Sequence, residues 1–196
     1  MQQAYVAGLN RHPFAVLGKP LAPLTLGHLR LLYAAESPYV CGMAGDSCTI
    51  GDLAFAAFVC SFSTWEDAHA ALHSKGVESA TMKWGEKCPP PMCQTSADTF
   101  LEYLSYYMSA PAMSSESNAQ TRPEYVPLPY MAAAILRHYF GMSDDEAWHT
   151  IVADALAWNA ARLQMEGHKC LLSDFDAYLI AHAAELEAQQ EEAANA

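Results

Sequence analysis

Positive charge is scarce in this 196-residue chain: ten Lys and Arg stand against 22 Asp and Glu, a formal charge of -12. Such a field repels phosphate backbones and gains little from counterion release, which argues against generic nucleic-acid binding. Long apolar runs are missing as well. The longest, Leu53 to Phe62, is about half of the roughly 20 residues a helix needs to cross a bilayer, so it reads as a core helix and no membrane partner is expected. The first residues, Met1-Gln2-Gln3-Ala4-Tyr5, lack the basic segment and apolar stretch of a secretory signal. A cytoplasmic location is therefore expected, with the six cysteines (Cys41, Cys48, Cys60, Cys88, Cys93, Cys170) as reduced thiols.

The usual catalytic signatures are absent too. There is no Gly-x-Ser-x-Gly elbow, no Gly-rich phosphate loop and no dinucleotide fingerprint. His69 and His73 have metal-ligand spacing, but the residue after His69 is Ala70, so no glutamate stands there as the base of a zinc protease. No repeat of solenoid length is visible. These absences favour a protein that is not an enzyme and carries no cofactor.

What is present is a high apolar content, 52% against 16% charged residues, enough burial to offset backbone entropy and fold. The pattern is helical. Residues 1 to 23 hold Pro13, Pro20 and Pro23 with Gly8 and Gly18, too many breakers for a helix, and read as an extended arm with room for short strands. Leu24 to Ala35 places Leu29, Leu32 and Tyr33 on one face behind a Thr25 N-cap. Thr49 and Asp52 form a capping box for a helix from Ile50 to about Ser61, so apolar that it is the expected central core helix. Ser63 or Thr64 caps the next, with Glu66 and Asp67 in its first turn, running to about Ser74.

Gly76 to Thr95, with Pro89-Pro90-Pro91, reads as an irregular connector, after which Ser96 opens a helix carrying Phe100, Tyr103, Leu104 and Tyr107 on one face. Ala110 to Pro129 is a Pro/Ser-rich link. Tyr130 to Phe140 is a short helix closed by Gly141, and the capping box of Ser143 with Glu146 opens a long helix expected from Asp144 to Glu166, its apolar stripe made of Ala147, Ile151, Ala155, Trp158 and Leu163. A last helix follows Ser173. The sum is an all-α, single-domain bundle of about six or seven helices with an extended N-terminal arm and two Pro-rich connectors. Its organisation is a helical lobe over 1-110, a link over 111-129, and a second lobe over 130-196 packed on the same core.

Two constellations stand out as candidate sites. His69 and His73 lie one helical turn apart, and Cys88 and Cys93 supply two thiolates that would complete a tetrahedral zinc set, although three prolines between the cysteines act to hold them apart. Surface histidines and connector cysteines explain the same residues without metal. The second is the stretch from Tyr106 to Met131. There Tyr106, Tyr107, Met108, Met113, Tyr125, Tyr130 and Met131 offer the adaptable thioether and aromatic surface from which partner interfaces are built. The acidic run Asp144-Asp145-Glu146 is explained by capping and the helix dipole.

Pro23-Leu24-Thr25-Leu26-Gly27-His28-Leu29, Ser37-Pro38-Tyr39-Val40, Gly51-Asp52-Leu53-Ala54, Val59-Cys60-Ser61 and, later, Asp145-Glu146-Ala147-Trp148 give the chain a pattern that resembles small helical proteins of tailed-bacteriophage tail gene modules. The resemblance is to tail assembly chaperones. It implies a partner, the tape measure protein or another tail protein, whose long hydrophobic helices are kept soluble during assembly in the host cytoplasm. A negatively charged helical protein with some exposed apolar surface suits that role. Two other functions fit the composition: an acidic phage-encoded inhibitor of a host defence or nucleic-acid-binding complex, and a zinc-binding or thiol enzyme. No sustained heptad fixes an oligomeric state, so self-association into a homo-oligomer stays open.

Overall fold

Thr25 starts the first helix as a side-chain cap, its Oγ1 accepting from the backbone N-H of His28 at 3.3 Å. In the computed structural model, which describes residues 13-41, 48-74, 90-111, 113 and 126-167, that helix is α1 (Leu26–Ala34). Six more helices follow among the described residues: α2 (Ile50–Cys60), α3 (Trp65–Leu72), α4 (Pro90–Met108), α5 (Leu128–Phe140), α6 (Asp144–His149) and α7 (Val152–Met165). The only sheet among them is a two-stranded hairpin, β1 (Ala15–Val16) and β2 (Lys19–Pro20), turned by Leu17 and Gly18, both at positive φ. The fold is all-α. No helix among the described residues is long and apolar enough to cross a membrane.

Local chemistry accounts for most of the boundaries. Thr49 and Asp52 close a reciprocal capping box at α2, and Ser143 and Glu146 close another at α6. Thr64 caps α3, and Gly141 in the left-handed region ends α5. The buried side chains form one cluster that draws on β1 and every helix from α1 to α7. Its largest fully buried members include Phe100, Tyr103 and Tyr107 of α4, Leu29 and Leu32 of α1, and Leu53 of α2. The hub is α1, which packs against α2, α3, α5 and α6, whereas α2, expected to be central, packs against α1, α3 and α4.

Three expectations from sequence are corrected. The helix expected to open at Ser96 begins at Pro90, inside the stretch read as connector; prolines are tolerated in a first turn because its N-H groups have no intrahelical acceptor. Ser96 is instead buried within α4, where its Oγ accepts from the backbone N-H of Leu17 at 3.3 Å. The helix expected to run unbroken from Asp144 to Glu166 is two helices. Thr150 and Ile151 are both extended, with ψ of 133° and 136°, and Ile151 forms an isolated antiparallel bridge with Thr25. The Leu26 N-H donates to the Thr150 carbonyl and the Val152 N-H to the Leu24 carbonyl, each at 2.9 Å. Those two bonds replace helical ones and stitch the start of α1 to the start of α7. Two consecutive β-branched residues make the extended conformation cheap at that point. Trp158, assigned to the apolar stripe, lies on the outer face of α7, which buries Val152, Ala153, Ala155, Ala157 and Ala160. The expected last helix after Ser173 and most of the 111-129 link lie outside the described residues.

Candidate partner-binding surfaces

The α5/α7 pair uses its small residues for packing and turns its large ones outward. Ala132, Ala133 and Leu136 of α5 are buried, and the alanines of α7 let the two helices approach closely. Tyr139, Phe140, Trp158 and Met165 then stand exposed, Met165 at 89%. They line a groove of about 300 Å³ between the C-terminal end of α5 and the outer face of α7. Phe140 and Trp158 are tilted rings 6.0 Å apart, and the Arg162 guanidinium lies 4.1 Å from the Tyr139 ring centroid. Arg162 also pairs with Glu166 across one turn. The groove is therefore aromatic, with its one arginine already neutralised.

A second surface centres on α1. The Arg30 guanidinium carbon lies 4.7 Å from the Trp148 ring centroid and 5.8 Å from those of Trp65 and Tyr130. Three elements bring those rings together. Trp65 comes from the first residue of α3, Tyr130 from the first turn of α5 and Trp148 from α6. Trp65 reaches α1 because Gly27 has no side chain: a Cβ there would sit 2.2 Å from Trp65 Cγ. Arg30, Trp65, Tyr130, His69 and His73 line a groove of about 490 Å³.

On the far side of Trp65 and Trp148, the neighbouring residues Glu66 and His149 meet across α3 and α6, with Oε2 and Nε2 3.1 Å apart. Asp145 joins them, so that a donor atom from each of the three lies within 4.8 Å of the others. His149 Nδ1 sits 2.8 Å from the Asp145 carbonyl oxygen. That carbonyl, then the Glu66 and Asp145 carboxylates, raise the His149 pKa against a smaller opposing effect of burial. The cluster thus sets the His149 imidazole between two acidic groups. Within α1, His28 is fully buried, its Nδ1 2.9 Å from Thr25 Oγ1. Burial pushes its pKa down to about 4 although the carbonyls of Thr64 and Phe62 pull the other way, so the ring is neutral at pH 7.

The residues singled out from sequence are distributed differently. Tyr106 and Tyr107 belong to the core, at 9% and 2% exposure: they pack against Phe14 of the arm, at ring separations of 5.6 and 6.5 Å, rather than presenting a surface to a partner. Met108 and Met113 are half-buried, and Tyr125 lies outside the described residues. Tyr130 and Met131 are exposed, and Tyr130 belongs to the α1 groove. His69 and His73 do face each other, with Nε2 atoms 3.1 Å apart on the exposed side of α3. Cys93 lies in α4 rather than in a connector, Cys88 is outside the described residues, and His69, His73 and Cys93 do not converge as a ligand set among the described residues. No family model, curated protein or solved structure matches the chain.

Tyr130, His69 and His73 of the α1 groove stand out in the sequence, but not as one surface, and no residue of the α5/α7 groove stands out as a site. Trp158 reads as a member of an apolar stripe, and Tyr139 and Phe140 only as the end of a short helix. The cluster around Arg30 gathers residues up to 118 positions apart (Arg30 to Trp148), which no local spacing reveals. One signal was available: Arg30 is a lone cation in a helix otherwise made of apolar and small residues with one histidine.

Proposed function

We propose that the chain is a non-enzymatic binding protein that acts during phage tail assembly, covering apolar helices of a tape measure protein. The observation that carries the reading is the exposed aromatic groove of α5 and α7. Four large apolar side chains, Tyr139, Phe140, Trp158 and Met165, share one groove at 40% exposure or more, an arrangement suited to a partner's apolar helix face. The charge of -12 supports the same reading, because it keeps a complex with an apolar partner dispersed. The resemblance to tail assembly chaperones supplies the name of the partner.

The test is co-expression with the genes of its own neighbourhood, gentle purification and native mass spectrometry. A complex with a long helical tail protein is expected, and Trp158→Glu and Phe140→Glu should remove it while leaving the circular dichroism spectrum unchanged. Recovery of a host nucleic-acid-binding complex instead would replace this reading with that of an acidic inhibitor. Recovery of a partner-free protein would remove it.

A further inference from the structure

We propose that the groove around Arg30 is a receptor for a single carboxylate side chain, Glu or Asp, presented on an otherwise apolar segment of a protein partner. The inference rests on the reading of the chain as a partner-binding protein and assigns a second contact, separate from the α5/α7 groove.

Arg137 is paired with Asp144 and Arg162 with Glu166. Arg30 has no carboxylate within ion-pair distance among the described residues; it lies over the rings of Trp148, Trp65 and Tyr130. A ring face offers a guanidinium cation–π attraction but no carboxylate, and the N-H groups of a guanidinium are the part that matches a carboxylate with two parallel hydrogen bonds. In a chain of net charge -12, an arginine left without an acid among so many is the exception.

The surroundings favour the same ligand. Glu66 follows Trp65 directly, and its carboxylate is turned to His149 rather than to Arg30. Leu31, Ala34, Ala35, Trp65, Leu72 and Tyr130 make most of the groove wall, and His69 and His73 make the rest. Low-polarity walls strengthen a charge pair relative to water, and a side chain already clamped between rings loses little freedom when it binds. The volume of about 490 Å³ accommodates one acidic side chain with the apolar neighbours that flank it on a helix. A phosphate backbone is the less suitable anion, since the whole chain repels a polyanion while a single carboxylate is felt mainly within a Debye length.

The decisive experiment uses the full chain and two capped Ala/Leu-based helical peptides, one with a single central Glu and one with Gln at the same place. The Nε-Hε resonance of Arg30 is followed by nuclear magnetic resonance, together with tryptophan fluorescence. Saturable movement of that resonance by the Glu peptide is expected, with affinity at least about tenfold above that for the Gln peptide and falling with salt. Arg30→Gln should abolish the preference, and Arg30→Lys should keep part of it. Trp158→Glu should leave it intact, which separates this contact from the α5/α7 groove. Equal binding of the two peptides, or no binding of either, overturns the proposal even where a tail protein is captured through α5 and α7. Movement by inorganic phosphate but not by the Glu peptide overturns it as well. If Arg30→Gln fails to fold, the comparison of the two peptides on the unaltered protein still decides.

Discussion

Gly27→Ala pits two physical effects of opposite sign against each other. In an exposed helix interior the change stabilises by about 1 kcal/mol, because alanine loses less backbone freedom on folding than glycine. Here the added methyl carbon would lie 2.2, 2.4 and 2.6 Å from Cγ, Cδ1 and Cβ of Trp65. Carbon atoms settle at about 3.5 to 4.0 Å, so the indole must retreat by more than about 1 Å. Its Cβ is one of the three clashing atoms, which means that rotating the ring cannot relieve the contact and the first turn of α3 has to shift. Overpacking of that kind costs about 1 to 3 kcal/mol, and loss of the Trp65 contact with Arg30 adds to it. A net loss of about 1 to 2 kcal/mol is expected. Urea titration followed by far-ultraviolet circular dichroism measures it, and a double-mutant cycle isolates the cause. With Trp65→Ala in place the contacts with Cγ and Cδ1 are gone and only the one with Cβ, at 2.6 Å, stays, so the cost of Gly27→Ala should shrink without vanishing. An equal cost in both backgrounds would refute the steric argument, and a stabilised single variant would show that Trp65 does not rest on Gly27.

Three further outcomes follow from the same structure. The folded pKa of His28, about 4, lies below the usual 6.5, so the unfolded state binds more protons between those values; stability should fall by about 3 kcal/mol as pH drops through that window, and in His28→Gln the fall should largely vanish. His149 works in the opposite direction: its raised pKa gives a contribution that is full at pH below 6.5 and lost as pH rises through the folded value, so Glu66→Gln should reduce that part of the stability profile while the Asp145 carbonyl, the larger cause, keeps the rest. Ser143→Ala removes the cap that accepts from the Glu146 N-H and should cost about 1 kcal/mol in the same urea assay, with no effect on peptide binding at Arg30.

Local chemistry in the sequence made much of the fold legible. Thr25, Thr49, Thr64 and Ser143 each sit where a helix begins, and each accepts from a backbone N-H three residues on, because a hydroxyl at that position satisfies a donor the helix itself cannot. Such signals depend on neighbours within one turn. Features decided at long range were not legible. Pro90 and Pro91 read as breakers, and only in the fold do they become part of the first turn of α4. Tyr106 and Tyr107 read as a partner surface because aromatic side chains near a proline-containing link suit one, yet Phe14, more than 90 positions away, completes their burial. The site followed the same division: helix membership of Arg30, Trp65 and Trp148 was readable, and their meeting was not.

The misread break between α6 and α7 bears directly on the Arg30 groove. Had Asp144 to Glu166 run as one helix, the direction of Trp148 would be tied to that of Ala155 and Val152 at 100° per residue, and the buried alanine face of α7 would dictate where the indole points. The extended pair Thr150-Ile151 removes that constraint. It is held open by the backbone bonds to Leu24 and Leu26, so the orientation of α6 is referred to the start of α1 instead. Trp148 and His149 then face Arg30 and Glu66 at the same time. The residues that end one helix early thus position the ring that holds the arginine, and the sequence feature to associate with the groove is the β-branched Thr150-Ile151 pair as much as any residue that lines it.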